Sequence, residues 1–200
     1  MPSPPCFPFS VSGPLSKAVA ALGFSSFEQL AAFVQALPYG RTAANDDPLS
    51  VITENCGTCS SKHKLLAALA HECGHMEVQL TVGLFKMSEE NTPGVGSILR
   101  AAHLSYIPEA HCYLAVGSKR YDFTGLPKGS ASPFEALIEE HVVLPAELSD
   151  AKIELHKRAV AHWAASAGIT TADAWATREA CIAALSANTS FNRDGLKPAR

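Results

Sequence analysis

The chain is short of charge: Lys, Arg, Asp and Glu make up 18% of its 200 residues, with a formal net charge of −3. Nothing in that balance attracts nucleic acid or an anionic membrane, so neither is expected as a partner. No apolar run approaches the roughly 20 residues that span a bilayer. The first residues, Met1-Pro2-Ser3-Pro4-Pro5, have no basic region leading into an apolar stretch, which makes a poor secretory signal. Asn91-Thr92-Pro93-Gly94-Val95-Gly96 lacks a phosphate-loop lysine and follows no dinucleotide-binding pattern. Internal repeats are missing too. The six cysteines do not read as a disulfide framework: Cys56 and Cys59 flank a turn, Cys73 ends a helical pattern, and Cys112 and Cys181 sit in apolar surroundings. They read as reduced thiols of a cytoplasmic protein.

What is present is an ordinary globular composition, 47% hydrophobic, with enough chain for a substantial core. Residues 1–12, rich in proline and serine, read as a flexible start. Pro14 to Leu22 is a helical candidate stopped by Gly23, and Ser25 to Glu28 reads as a capping box. The helix it opens carries Leu30, Phe33, Val34 and Leu37, and ends at Pro38-Tyr39-Gly40. Arg41 to Thr58 is a polar connection, unusually long for one without a task. Met76 to Phe85 alternates like a half-buried strand. Ile98 to Leu104 is a short helix, Ser132-Pro133-Phe134-Glu135 opens a helical element that Pro145 closes, and Ser149–Ala167 and Thr171–Leu185 are longer helices. The expected organisation is one domain over 13–187, with a helical extension from about 132 to 187 and a tail over 188–200.

The chemistry concentrates between Asn55 and Thr124. Asn55-Cys56-Gly57-Thr58-Cys59 is a polar turn running into Leu65, Leu66, Leu69 and Ala70 at helical spacing, with Gly74 at the far end. Cys59 therefore stands in the first turn of a helix of about four turns. Free N–H groups and the positive dipole end favour thiolate there, and thiolate is the form that attacks carbonyls. Pro108 to Val116 is a strand containing His111, and Arg120 to Thr124 follows a Gly117-Ser118 turn. A two-residue hairpin turn makes His111 face Thr124 and leaves Asp122 one diagonal step away on the same face. A carboxylate in that position can orient an imidazole toward Cys59. Asn55 or Asn45 could add an amide donor for an oxyanion, although asparagine also serves turns.

Gly57-x-Cys59 at a helix start, a strand bearing His111 and Tyr113, and Asp122-Phe123-Thr124, in that order, resemble the transglutaminase-like branch of the papain-like thiol enzymes. The resemblance covers residues 55 to 124 and departs from the usual pattern at Tyr113, where Trp is common. It implies an α+β fold with the nucleophile helix packed on an antiparallel sheet, flanked here by added N- and C-terminal helices. It also implies a Cys59 nucleophile, a His111 base and acid, and an Asp122 orienter. A peptide or small amide is the expected substrate, with no cofactor or metal.

Three other readings remain. Cys56-Gly57-Thr58-Cys59 is a Cys-x-x-Cys at a helix start, the pattern of thiol–disulfide exchange, with Pro108 able to face it. Against it, the segment from Pro48 to Asn55 is a weak strand, and His111 and Asp122 go unexplained. A zinc site from Cys56, Cys59, Cys73 and His75 would need Cys73 to close on Cys59 across about 20 Å of helix. The same fold could also serve as a non-catalytic scaffold.

Overall fold

The computed structural model describes residues 4–10, 12–44, 47–125 and 133–191. It has α+β architecture. The elements run α1 (Pro14–Ala21), α2 (Phe27–Ala36), α3 (Ser50–Thr53), α4 (Cys59–Glu72), β1 (Gln79–Met87), α5 (Gly96–Ala101), β2 (Ile107–Val116), β3 (Lys119–Tyr121), β4 (Leu137–Val143), α6 (Leu148–Ala167) and α7 (Thr171–Phe191). Strand order in the four-stranded sheet is β3-β2-β1-β4. No helix among the described residues is long and apolar enough to cross a membrane.

The chain divides into two compact units. One comprises Met1–Gly83, His111–Pro127 and Glu140–Lys152. Its centre is α4, against which α1, α2, α3 and the 3-10 turn Pro145–Glu147 pack. Leu65, Leu66, Ala67, Leu69 and Ala70 of α4 are fully buried, as are Phe27, Leu30, Ala31 and Val34 of α2. The two ends of α4 are tied down differently. At its start, Thr58 accepts from the Ser61 N–H while the Ser61 hydroxyl accepts from the Thr58 N–H, a closed capping box. At its finish, the Glu72 carboxylate accepts from the Leu15 and Ser16 N–H groups at 3.1 and 2.6 Å, and so caps α1.

The second unit comprises Leu84–Ala110, Lys128–Glu139 and Ile153–Arg200. Phe85, Met87, Val95, Leu99, Ile107 and Cys181 form its core, with Trp163, Ile182 and Leu185 packed on them. Val160, Ala164 and Ala174 join α6 to α7. Small residues there let two helices approach closely. Within the same unit Arg178 grips the Glu109 carboxylate through two nitrogens at 2.6 and 2.9 Å.

Several expectations are corrected. The element opened at Ser132 was read as a helix, but Leu137–Val143 is β4, preceded by a 3-10 turn at Pro133–Ala136. Ser132 itself lies outside the described residues. The segment's burial alternates residue by residue, and Val142-Val143 ends it, so sheet pairing overrides a helix-start signature. Strand β1 is buried from Leu80 through Phe85, on both of its faces, and is not half-exposed; it lies between β2 and β4. The α2 cap is Ser26, accepting from the Gln29 N–H, while the Gln29 side chain reaches back to the Ser25 N–H at 3.0 Å. The polar connection over 41–58 contains α3, whose Val51 and Ile52 are buried; the same segment was read as a weak strand in the redox alternative.

The start of the chain, read as flexible, is tied down over residues 4–10. Phe9 N–H donates to Ser25 O, Phe27 N–H to Phe7 O, and the Phe7 ring stacks 3.6 Å from His75. The tail read from Asn188 begins inside α7, and residues 192–200 lie outside the described residues.

Candidate active site

Cys59 is the first residue of α4 and is 7% exposed. The turn before it is pinned from outside. Gly57 donates to Pro38 O at 3.1 Å and accepts from the Gly40 N–H at 3.3 Å. A Cβ at Gly57 would come within 2.7 Å of Lys62 Cγ, so the turn can lie this close to α4 only with glycine there.

His111 and Asp122 come from the hairpin. Strands β2 and β3 pair antiparallel, with Leu114 opposite Tyr121, Ala115 opposite Arg120 and Val116 opposite Lys119, the register of a Gly117-Ser118 two-residue turn. The ladder stops at Tyr121, and Asp122 lies just past its end. His111 Nε2 is 2.9 Å from Asp122 Oδ2. With Nε2–H donating to the carboxylate, Nδ1 is the ring nitrogen left for sulfur. Asp122 Oδ1 also accepts from the Thr124 N–H at 2.8 Å, an Asx-type turn that fixes the carboxylate. Two residues further along β2, the Tyr113 hydroxyl donates to Glu140, which Arg120 grips through Nε and Nη2 at 2.7 and 2.5 Å. The Tyr113 ring lies 6.3 Å from the His111 ring.

The site's electrostatics follow from these neighbours. The Cys59 thiol is held well below its ordinary value of 9.0: the Cys112 thiol hydrogen-bonds its thiolate, and Lys152 and His111 attract it, together outweighing burial. Burial also opposes charge on His111, but the Cys59 thiolate and the Asp122 carboxylate prevail and raise it to about 10. Asp122 is likewise penalised by burial, yet the hydrogen bond and charge of His111 hold it at about 2. Cys112, fully buried, is pushed well above 9.0 by its bond to Cys59 and then by burial. The favoured state is thiolate Cys59, imidazolium His111 and carboxylate Asp122.

Four further residues, none flagged by sequence reasoning, build the site. His63 is fully buried; Nδ1–H donates to Cys59 O at 2.7 Å and Nε2 accepts from the Phe123 N–H at 2.7 Å. Burial keeps its ring neutral, which suits one donor and one acceptor. Lys62, also fully buried, donates to Leu37 O at 2.6 Å and Thr124 O at 2.8 Å, and burial lowers its ammonium to about 8. Both residues tie the α4 start to the segment that carries Asp122. Lys152 Nζ stands 3.0 Å from Ser60 Oγ and 3.8 Å from Cys59 Sγ. Ser60 Oγ is 3.4 Å from Cys112 Sγ. The available signal was the spacing in Ser60-Ser61-Lys62-His63: Lys62 and His63 fall three and four residues after Cys59, on its side of the helix.

Asn55 is exposed, with φ 52° at the close of α3, the left-handed turn position asparagine tolerates. Asn45 lies outside the described residues. Cys56 Sγ points to Arg41 O at 3.7 Å, and the sulfur that bonds Cys59 is that of Cys112. Cys73 and His75 stand beyond the opposite end of α4; Cys73 bonds Ser10 O, and His75 bonds Glu77 at 2.8 Å. His156 is buried and its Nε2 contacts Pro108 O at 3.0 Å. Comparisons with protein-family models, curated proteins and solved structures find no match.

Proposed function

We propose that the chain is a thiol-dependent acyl-transfer enzyme of the transglutaminase-like, papain-like kind, acting on a peptide or small amide. The observation that carries this reading is the 2.9 Å bond from His111 to Asp122 beside a thiolate-favouring Cys59 at a helix start. Cys59 attacks the amide carbonyl, His111 gives its proton to the departing amine, and a thioester forms. Water or a second amine then attacks the thioester, with neutral His111 taking the proton. Asp122 keeps the ring oriented and stabilises its charge. These steps use only the chain's own side chains. Six free cysteines fit a reducing compartment such as the cytoplasm.

An activated ester, p-nitrophenyl acetate, tests the reading. The expected result is release of one equivalent of nitrophenol in a burst, an acetyl group mapped to Cys59, and loss of both in Cys59→Ser. Cys56→Ser should leave the burst intact, whereas dithiol–disulfide cycling would need that sulfur. A chain that forms no Cys59 adduct, or that stops when Cys56 is lost, contradicts the proposal.

A further inference from the structure

Attack on a carbonyl puts negative charge on oxygen, and something must receive it. Of the two asparagines that the sequence suggests, Asn55 is exposed in the turn that closes α3, and Asn45 lies outside the described residues. What stands beside the sulfur is an ammonium. Lys152, near the start of α6, reaches 3.8 Å from Cys59 Sγ while donating to Ser60 Oγ at 3.0 Å. Ser60 follows Cys59 in the first turn of α4, where backbone N–H groups have no helical acceptor.

We infer that Lys152 is a catalytic residue, the charged oxyanion donor that works with the Cys59 N–H during acyl transfer. This rests on Cys59 being the acyl-accepting nucleophile, as proposed above. In a tetrahedral adduct the oxygen sits about 2.7 Å from the sulfur, within reach of an ammonium held at hydrogen-bond distance from the first helical turn. The charge balance suits the position. In the resting protein the ammonium faces the thiolate. When sulfur bonds carbon, the carbonyl π pair moves to oxygen, and the negative charge passes from sulfur to oxygen while remaining beside Nζ. Collapse returns that pair to the carbonyl and expels the amine, which takes its proton from His111. Lys152 gives a hydrogen bond throughout and transfers no proton. The interaction therefore follows the charge and is not lost as the thiolate disappears.

Two reactions of the same thiolate separate this role from simple thiolate stabilisation. Alkylation by iodoacetamide and acylation by p-nitrophenyl acetate both scale with the ionised fraction of Cys59, but only acylation places charge on oxygen. The test is the ratio of the two rate constants in the intact chain, for wild type, Lys152→Met and Lys152→Arg, with circular dichroism to verify folding. The ratio should fall about 100-fold in Lys152→Met, the size expected for one lost oxyanion donor. Lys152→Arg, which keeps the charge and N–H donors, should recover most of it. If alkylation and acylation decline together, Lys152 only tunes the thiol and the inference is overturned. If acylation proceeds unchanged in Lys152→Met, it is overturned likewise. A wild type that is alkylated at Cys59 but never acylated there removes the nucleophile reading itself, and with it this one.

Discussion

Replacing His63 by leucine removes a ring that holds two segments together without touching a reacting atom. The loss can be sized from its two bonds. The Cys59 carbonyl keeps its helical partner when the imidazole goes, so that bond is worth about 1 kcal/mol. The Phe123 N–H is different: it is buried and its acceptor is His63 Nε2, so it is left unpaired at about 1–3 kcal/mol. The sum, about 2–4 kcal/mol, corresponds to a melting temperature lower by roughly 5–15 °C for a chain of this length. Amide replacements divide the two bonds, because Gln carries its terminal atoms near Nε2 and Asn near Nδ1. His63→Gln should therefore melt above His63→Asn. Thermal unfolding followed by circular dichroism measures both. The pH adds a signature. Folding holds this ring neutral, so the wild type excludes a proton that the unfolded chain takes up below 6.5. The wild type carries no such penalty above pH 6.5 and a growing one below it, and the gap to His63→Gln should narrow as the solution is acidified. A His63→Leu protein within 2 °C of wild type (a shift too small for about 1 kcal/mol), or His63→Asn more stable than His63→Gln, refutes the reasoning.

Asp122→Asn should lower the burst rate at least 100-fold, because the ring loses its orienting anion. Its acid unfolding should also change: the carboxyl, held at about 2, stabilises the fold above 3.8 by about 2 kcal/mol, and this is lost as pH falls toward 2. Urea unfolding between pH 5 and 2 should thus show a shallower decline for the variant; parallel curves would contradict it. Cys112→Ala removes the strongest of the groups lowering the Cys59 thiol, so the midpoint of its pH–alkylation curve should move upward. An unmoved midpoint would exclude the Cys59–Cys112 bond. Gly125→Ala should destabilise the chain by about 1–2 kcal/mol or more: φ is 78°, and an added Cβ would overlap the Gln35 carbonyl oxygen. Chemical denaturation reads this directly.

The parts of the molecule that sequence reached are those governed by local rules. Helix α4 begins at Cys59 because Thr58 and Ser61 cap it, and the hairpin register follows from a two-residue turn at Gly117-Ser118. Both are short-range signals; the first places Cys59 and the second brings His111 to Asp122. Where long-range pairing decides, local reading fell short. Residues 137–143 carry a helix-start signature upstream but pair with β1, and β1 is buried on both faces, which its alternating sequence does not announce. The same holds within the site. Lys152 lies 93 residues from Cys59, so only the fold brings its ammonium to the sulfur. His63 was visible as a residue four after Cys59, but its task depends on where Phe123 lies.

The most direct measurement is the site-resolved rate of iodoacetamide labelling at pH 6, with all six cysteines followed by mass spectrometry. A thiol of ordinary pKa is almost wholly protonated there, whereas a thiolate paired with His111 is already reactive. The account predicts that Cys59 is labelled at least ten times faster than Cys6, Cys56, Cys73, Cys112 or Cys181, and that His111→Ala reduces the advantage while Cys112 and Lys152 retain part of it. Cys59 labelled no faster than exposed Cys6, or equally fast without His111, would contradict it.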